Sequence, residues 1–408
     1  MGKGLLNKLK ISLTTAGIIG TSYFNSTTAQ ENYIPKYNTL AHKMLMIEDN
    51  LDNIPLNTYS NIKTLDKLID NSKNYIEKKD NYIEKEIAEI SQNIYLSIKK
   101  ELPEILKEEE RDKLFPCYKM SLIYLAIGET NKIPFYGVII RSPLGEFSGH
   151  MFLRYDADGK HDPLNPDNPF NKGDINIETT TGEIQENGKY SDEEYLKKYH
   201  VLRKNLEKSD YLKNLNENEF LALAYNLRGT KHLKKWKEEK ALEDWDKAIE
   251  LNPNFFEAYY SKAHYHSDGR RYPNDDELKK ANNYFSKALE IFPYLEGYYY
   301  KRSISFKFEN YNKSIENCNK GLNLIKEITK EYLDTLVKDS LYRENLNFYK
   351  NLFYFGRYLV YEKLKNFEKA ERNLDLSRFY RYKYQNPSYG AVYMMHMINK
   401  YKGEKIED

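Results

Sequence analysis

The chain has 408 residues, 30% of them charged and 40% apolar, with 63 basic side chains against 61 acidic ones and a formal net charge of +2. It is long enough for two or three buried cores, and its composition is that of a soluble globular protein. Balanced charge gives no electrostatic footprint for nucleic acid, which needs a clustered basic face, and no stretch has the apolar length that spans a bilayer.

Residues 1–30 carry a basic start with three lysines, "MGKGLLNKLK", a mildly apolar middle, "ISLTTAGIIG", and a small-residue exit around Thr27 and Ala29. That is the pattern of a secretory signal peptide, and it predicts export to a periplasmic or extracellular space; without it the protein would be cytoplasmic. The two cysteines, Cys117 and Cys318, fall in different segments and do not form a disulfide framework.

Residues 31–205 form the next predicted unit. Apolar spacing near 3.6 over 36–112 predicts two or three helices, with a boundary at Pro103. A helix is expected over Tyr118–Glu129, followed by strands at "IPFYGVIIRS" and "GHMFLRYD", a loop rich in Pro, Asn, Asp and Gly, and a third strand at "INIETTT". One helix on a few strands makes an α+β domain. Residues 215–385 are helical throughout and carry an internal period. Gly229, Ala241, Trp245, Ala248 and Pro253 sit at the offsets of a 34-residue tetratricopeptide repeat. A second unit, with Ala258, Ala263, Ala281, Phe285, Ala288 and Pro293, has a lengthened inter-helix loop; a third and a fourth follow more weakly. Small residues let the paired helices approach, and the numerous tyrosines fill the space between units. Residues 386–408 read as a C-terminal tail, and the whole chain as mostly helical.

Most polar residues of interest have a structural explanation. Cys318 occupies a packing position of the repeat and reads as a small hydrophobe; His232 is likewise structural. His264 and His266, two apart on a helix, do not face one another, so they are not a joint metal site. His161 reads as a solvated loop residue. No phosphate loop, dinucleotide motif or paired CxxC is present, so neither a metal nor a cofactor is expected.

Cys117 is different. It follows Pro116 at the start of a predicted helix, where unpaired N–H groups and the helix dipole favour a thiolate. His150 opens the next-but-one element and Glu178 lies in the third strand, so thiol, imidazole and carboxylate follow in the chain order of a papain-like site. A buried packing role for Cys117 is the competing reading, and Asp156, His161, Asp162 and Asp174 are rival partners in the intervening loop.

"CYKMSLIYLAIGETNKIPFYGV", "GHMFLRYD" and "NIETTTG" together resemble the transglutaminase-like, papain-like cysteine domain that some prokaryotic proteins carry fused to tetratricopeptide repeats. The resemblance covers about residues 100 to 200 and implies a papain-like α+β core followed by an all-α tetratricopeptide solenoid. It implies Cys117 as nucleophile, His150 as general base and Glu178 as orienting acid, with Asn176, Thr179 and Thr180 shaping the pocket. Glu178 stands where many such enzymes have Asp, and the segment before it is long. No oxyanion donor is readable beyond the backbone N–H of Cys117. The expected function is a cysteine hydrolase or acyl transferase acting on peptide or amide bonds. The alternative is a catalytically inert adaptor whose repeats bind a protein or peptide partner on their concave face.

Overall fold

A computed structural model describes residues 36–49, 55–79, 81–101, 115–144, 149–186, 189–267 and 273–385. The expected leader, Pro103 and the C-terminal tail lie outside these residues. Among the described residues there are fourteen α-helices and one four-stranded sheet.

Three helices form the lead-in: α1 (Leu40–Asp49), α2 (Pro55–Ser72) and α3 (Glu84–Glu101). Helix α4 (Phe115–Asn131) is apolar on all sides, from Tyr118 and Met120 to Ala126 and Ile127, and this is why it is buried on all sides. It starts three residues earlier than its apolar run suggests. Pro116 therefore falls within the first turn, where a missing N–H breaks no helical hydrogen bond, and Cys117 follows it.

Helix α4 packs on the antiparallel strands β1 (Phe135–Arg141) and β2 (Gly149–Tyr155), which continue through β3 (Ile175–Glu178) to a short β4 (Glu183–Ile184). In β2, alternation sends Met151, Leu153 and Tyr155 to one face and His150, Phe152 and Arg154 to the other. The second face is covered by α5 (Asp192–Tyr199), whose Tyr195 ring stacks on Phe152 at 4.0 Å. Neither β4 nor α5 stands out in the sequence, because two and eight residues are too few for a clear period.

The remaining helices come mainly in consecutive packed pairs: α6 (Glu217–Lys234) with α7 (Glu238–Leu251), α8 (Phe256–Ser267) with α9 (Asp275–Ile291), and α10 (Leu295–Lys307) with α11 (Tyr311–Glu331). After a short α12 (Leu333–Lys338) come the long partners α13 (Ser340–Lys363) and α14 (Phe367–Gln385). Asn216 starts α6 with a capping box completed by Glu219. Gly229 lets α6 and α7 meet, since a Cβ there would stand 2.8 Å from Trp245 Nε1 and 3.0 Å from the Ala241 carbonyl.

The helical pairs do not stand apart from the sheet. One hydrophobic cluster runs from Ala41 through α4 and the strands to Ile304 on α10. Phe220 of α6 lies so close over Gly137 of β1 that no side chain could replace that hydrogen. The outer edge of β1 is covered by the linker into α6: Leu212 N–H donates to the Ile139 carbonyl (2.9 Å) and Leu215 N–H to the Gly137 carbonyl (3.0 Å).

From the end of β1, residues 141–144 run across the first helices of three pairs. The Arg141 guanidinium lies over the Tyr260 ring of α8 (4.6 Å), and the Pro143 carbonyl accepts from Leu295 N–H of α10 (2.8 Å). The Leu144 carbonyl accepts from the Tyr349 hydroxyl of α13 (2.9 Å), and its side chain joins a cluster with Leu295, Tyr349 and Phe353. Residues 141–144 therefore cover part of the surface of α8, α10 and α13.

Candidate functional site

Cys117, His150 and Glu178 arrive from three elements at one point. Helix α4 presents Cys117 in its first turn, β2 presents His150 at its first residues, and β3 ends in Glu178. The ladder pairs Leu153 with Ile177, which puts Phe152 opposite Glu178 and His150 one step diagonal to it on the same face. His150 Nε2–H donates to Glu178 Oε2 at 2.7 Å, and Cys117 lies near enough to the imidazole to help raise its pKa.

The electrostatics follow from these bonds. Burial by itself would lower the His150 pKa; its bonds to Cys117 and Glu178, and the negative charges behind them, outweigh burial and raise it to about 9. Burial would raise the Glu178 pKa, but the His150 and Thr180 bonds hold it below the usual carboxylate value. Glu178 is 5% exposed and fully committed: Thr180 Oγ1 donates to Oε1 (2.7 Å), and the Tyr195 hydroxyl donates to Oε2 (3.3 Å) beside His150. Such a carboxylate fixes both the orientation and the charge state of the imidazole.

The neighbouring residues sort by what they touch. Thr179 is buried between Ser121 Oγ (3.2 Å) and the Cys117 carbonyl (3.5 Å), so it ties the first turn of α4 to β3. Thr180 holds Glu178. The amide of Asn176 is committed elsewhere: it accepts from Arg154 Nε (2.8 Å) and donates to the Tyr190 carbonyl (2.9 Å) and Asp192 Oδ1 (3.0 Å). An aromatic wall of Phe152, Tyr195 and Tyr199 surrounds the imidazole, with the Tyr199 ring within 11° of parallel to it.

Asn176 belongs to a second polar cluster on the same sheet face. Arg154, fully buried, donates also to Asp192 Oδ1 (2.6 Å) and to the Leu212 carbonyl (3.0 Å). His161, expected as a solvated loop residue, is instead enclosed: its two ring nitrogens bridge Asp174 (2.7 Å) and Asp192 (2.8 Å). Burial lowers its pKa, and the two carboxylates more than reverse that. Asp192 is pulled down to about 2, against its burial, by Arg154 and His161. The loop folds back because Asp156 accepts the N–H groups of Asp158, Gly159 and His161, a chain of turns that turns His161 inward. Asp156, Asp162 and Asp174 are thereby engaged away from His150. A cavity of about 190 Å³ opens beside this cluster, lined by Arg154, His161, Asp174, Asp192 and Arg203 among others.

Cys318, expected as a small packing residue, is fully buried in α11, and burial pushes its thiol up to about 12. No protein-family model matches the chain, and no curated protein matches it either. The sequence reading did not single out Tyr195, Tyr199, Arg154 or Asp192. The two tyrosines are hidden among 38, and the Arg154–Asp192 pair joins positions with no local motif between them.

Proposed function

We propose that this protein is a thiol hydrolase or acyl transferase of the transglutaminase-like, papain-like type, carried on tetratricopeptide-like helical pairs. The observation that carries the reading is the convergence of Cys117, His150 and Glu178 from three elements, with His150 bonded to Glu178 at 2.7 Å and its pKa raised to about 9, against burial, by Cys117 and Glu178. In the reaction, Cys117 Sγ attacks the carbonyl carbon of an amide or ester. The imidazolium of His150 gives its proton to the leaving amine or alcohol as that bond breaks, leaving a thioester on Cys117. His150, now neutral, takes a proton from water or from an acceptor amine, which displaces the thiolate and completes hydrolysis or transfer. Glu178 keeps the ring aligned throughout, and Thr179 steadies the helix start that bears the thiol.

The paired helices, with their small residues at the crossing points and Trp245 against Gly229, support the repeat reading. Their contact with residues 141–144 supports a role as an internal scaffold for the sheet.

A second reading, an inert domain whose helices act as an adaptor, is favoured by one observation: Cys117 is only 4% exposed. One experiment separates the two. Alkylation of Cys117 is followed from pH 5 to 9 in the folded protein, with Cys318 as internal control. Fast reaction at pH 6 that is lost in His150→Ala supports the enzyme. A Cys117 as slow as Cys318 at every pH leaves the adaptor.

A further inference from the structure

Acyl chemistry at Cys117 places a negative charge on the former carbonyl oxygen, and that oxygen needs donors already in position. The backbone N–H at the start of α4 is one source. The hydroxyls around the thiol–imidazole pair can be taken in turn. Ser121 is bonded to Thr179, and Thr179 reaches the Cys117 carbonyl. Thr180 is bonded to Glu178 Oε1, and Tyr195 to Glu178 Oε2. Tyr199 differs. Its hydroxyl has no hydrogen-bond partner among the described residues, it is half-buried, and its ring lies near-parallel to His150 with centroids 6.2 Å apart.

We propose that Tyr199 is a further catalytic residue, whose phenolic O–H donates to the oxyanion formed when Cys117 attacks an acyl carbon. This rests on the acyl-transfer reading of Cys117. The geometry suits the role in three ways. Tyr199 is the last residue of α5, and His200 after it adopts a left-handed conformation (φ 54°, ψ 43°) with its N–H closed onto the Lys197 and Leu196 carbonyls, so the helix end is rigid. The Tyr199 ring lies near-parallel to the His150 imidazole, within 11°. Burial above all, and then the negative charge of Glu178, raises the pKa of its hydroxyl, so it remains a donor across the working pH range. A hydroxyl without a hydrogen-bond partner among the described residues loses none of their bonds when the oxyanion forms.

The test compares two reactions at the same sulfur. Alkylation by iodoacetamide displaces iodide and forms no oxyanion; acylation by p-nitrophenyl acetate forms one and releases p-nitrophenolate. Wild type, Tyr199→Phe and Cys117→Ala are compared at pH 7, after checking that their thermal midpoints agree. The expected result is that Tyr199→Phe alkylates within about twofold of wild type, while its acylation burst slows by about 100-fold, the scale of losing one such donor. Equal acylation in wild type and Tyr199→Phe overturns the proposal while leaving the enzyme reading intact. Equal loss of both reactions in Tyr199→Phe also overturns it, because the ring would then act only by holding His150. A wild type that alkylates but never acylates overturns the acyl-transfer reading itself.

Discussion

The imidazole of His200 stacks on the ring of Tyr342 with centroids 3.7 Å apart, joining the end of α5 to helix α13. Tyr332 closes the same corner, edge-on to His200 and with its hydroxyl donating to the Val201 carbonyl. Since α5 carries Tyr195 and Tyr199, this corner joins the aromatic wall around His150 to helix α13.

That corner titrates. Both ring nitrogens of His200 are buried without a hydrogen-bond partner, and burial pushes its pKa down to about 4. The unfolded chain takes up this proton near pH 6.5, so the stability that rests on a neutral His200 is fully present above that value. It is lost progressively as pH falls from about 6.5 to about 4, by up to about 3 kcal/mol. Urea unfolding across this range shows the slope in wild type. In His200→Phe the contribution of this site to the slope disappears, whatever constant offset arises from a phenylalanine at positive φ.

His150 titrates in the opposite sense. Its folded pKa is raised to about 9, so its contribution is complete below about pH 6.5 and is lost as pH rises through 9. The difference in unfolding free energy between wild type and His150→Gln should shrink by up to about 3 kcal/mol between pH 6.5 and pH 10. A difference that does not change over that interval would show that the imidazole is not held as an imidazolium.

The contact between residues 141–144 and the helical pairs can be measured directly. Leu144→Ala is expected to cost about 2–5 kcal/mol through lost burial and the space left between Leu295 and Phe353. Tyr349→Phe is expected to cost about 1 kcal/mol through the orphaned Leu144 carbonyl. Because the two residues touch, the double variant should be non-additive by more than about 0.5 kcal/mol; strict additivity would mean the segment is not docked.

Much of this molecule is readable along the chain. The long helices and the strands at 135–141, 149–155 and 175–178 follow from apolar period and β-branched content, which are properties of neighbouring residues. The close approach at Gly229 follows from small residues at fixed offsets, and the order Cys117, His150, Glu178 is visible because each sits at the end of such an element. What lies between the elements is not written locally. Nothing near Asn176 says that its amide serves Arg154 and Asp192, and nothing near His161 says that two carboxylates will enclose it. Those partners are set by the register of β2 on β3 and by a loop folding back on its own turns. The Leu144 carbonyl meets the Tyr349 hydroxyl from 205 positions away, and Tyr199 lies beside His150 while the residue after it stacks on Tyr342 of α13. Local pattern determined which segments become helix or strand and where a thiol and an imidazole could stand. Packing between distant elements decided which polar groups are already bonded and which hydroxyl is left free, because hydrogen-bond partners depend on proximity in space and not on spacing along the chain.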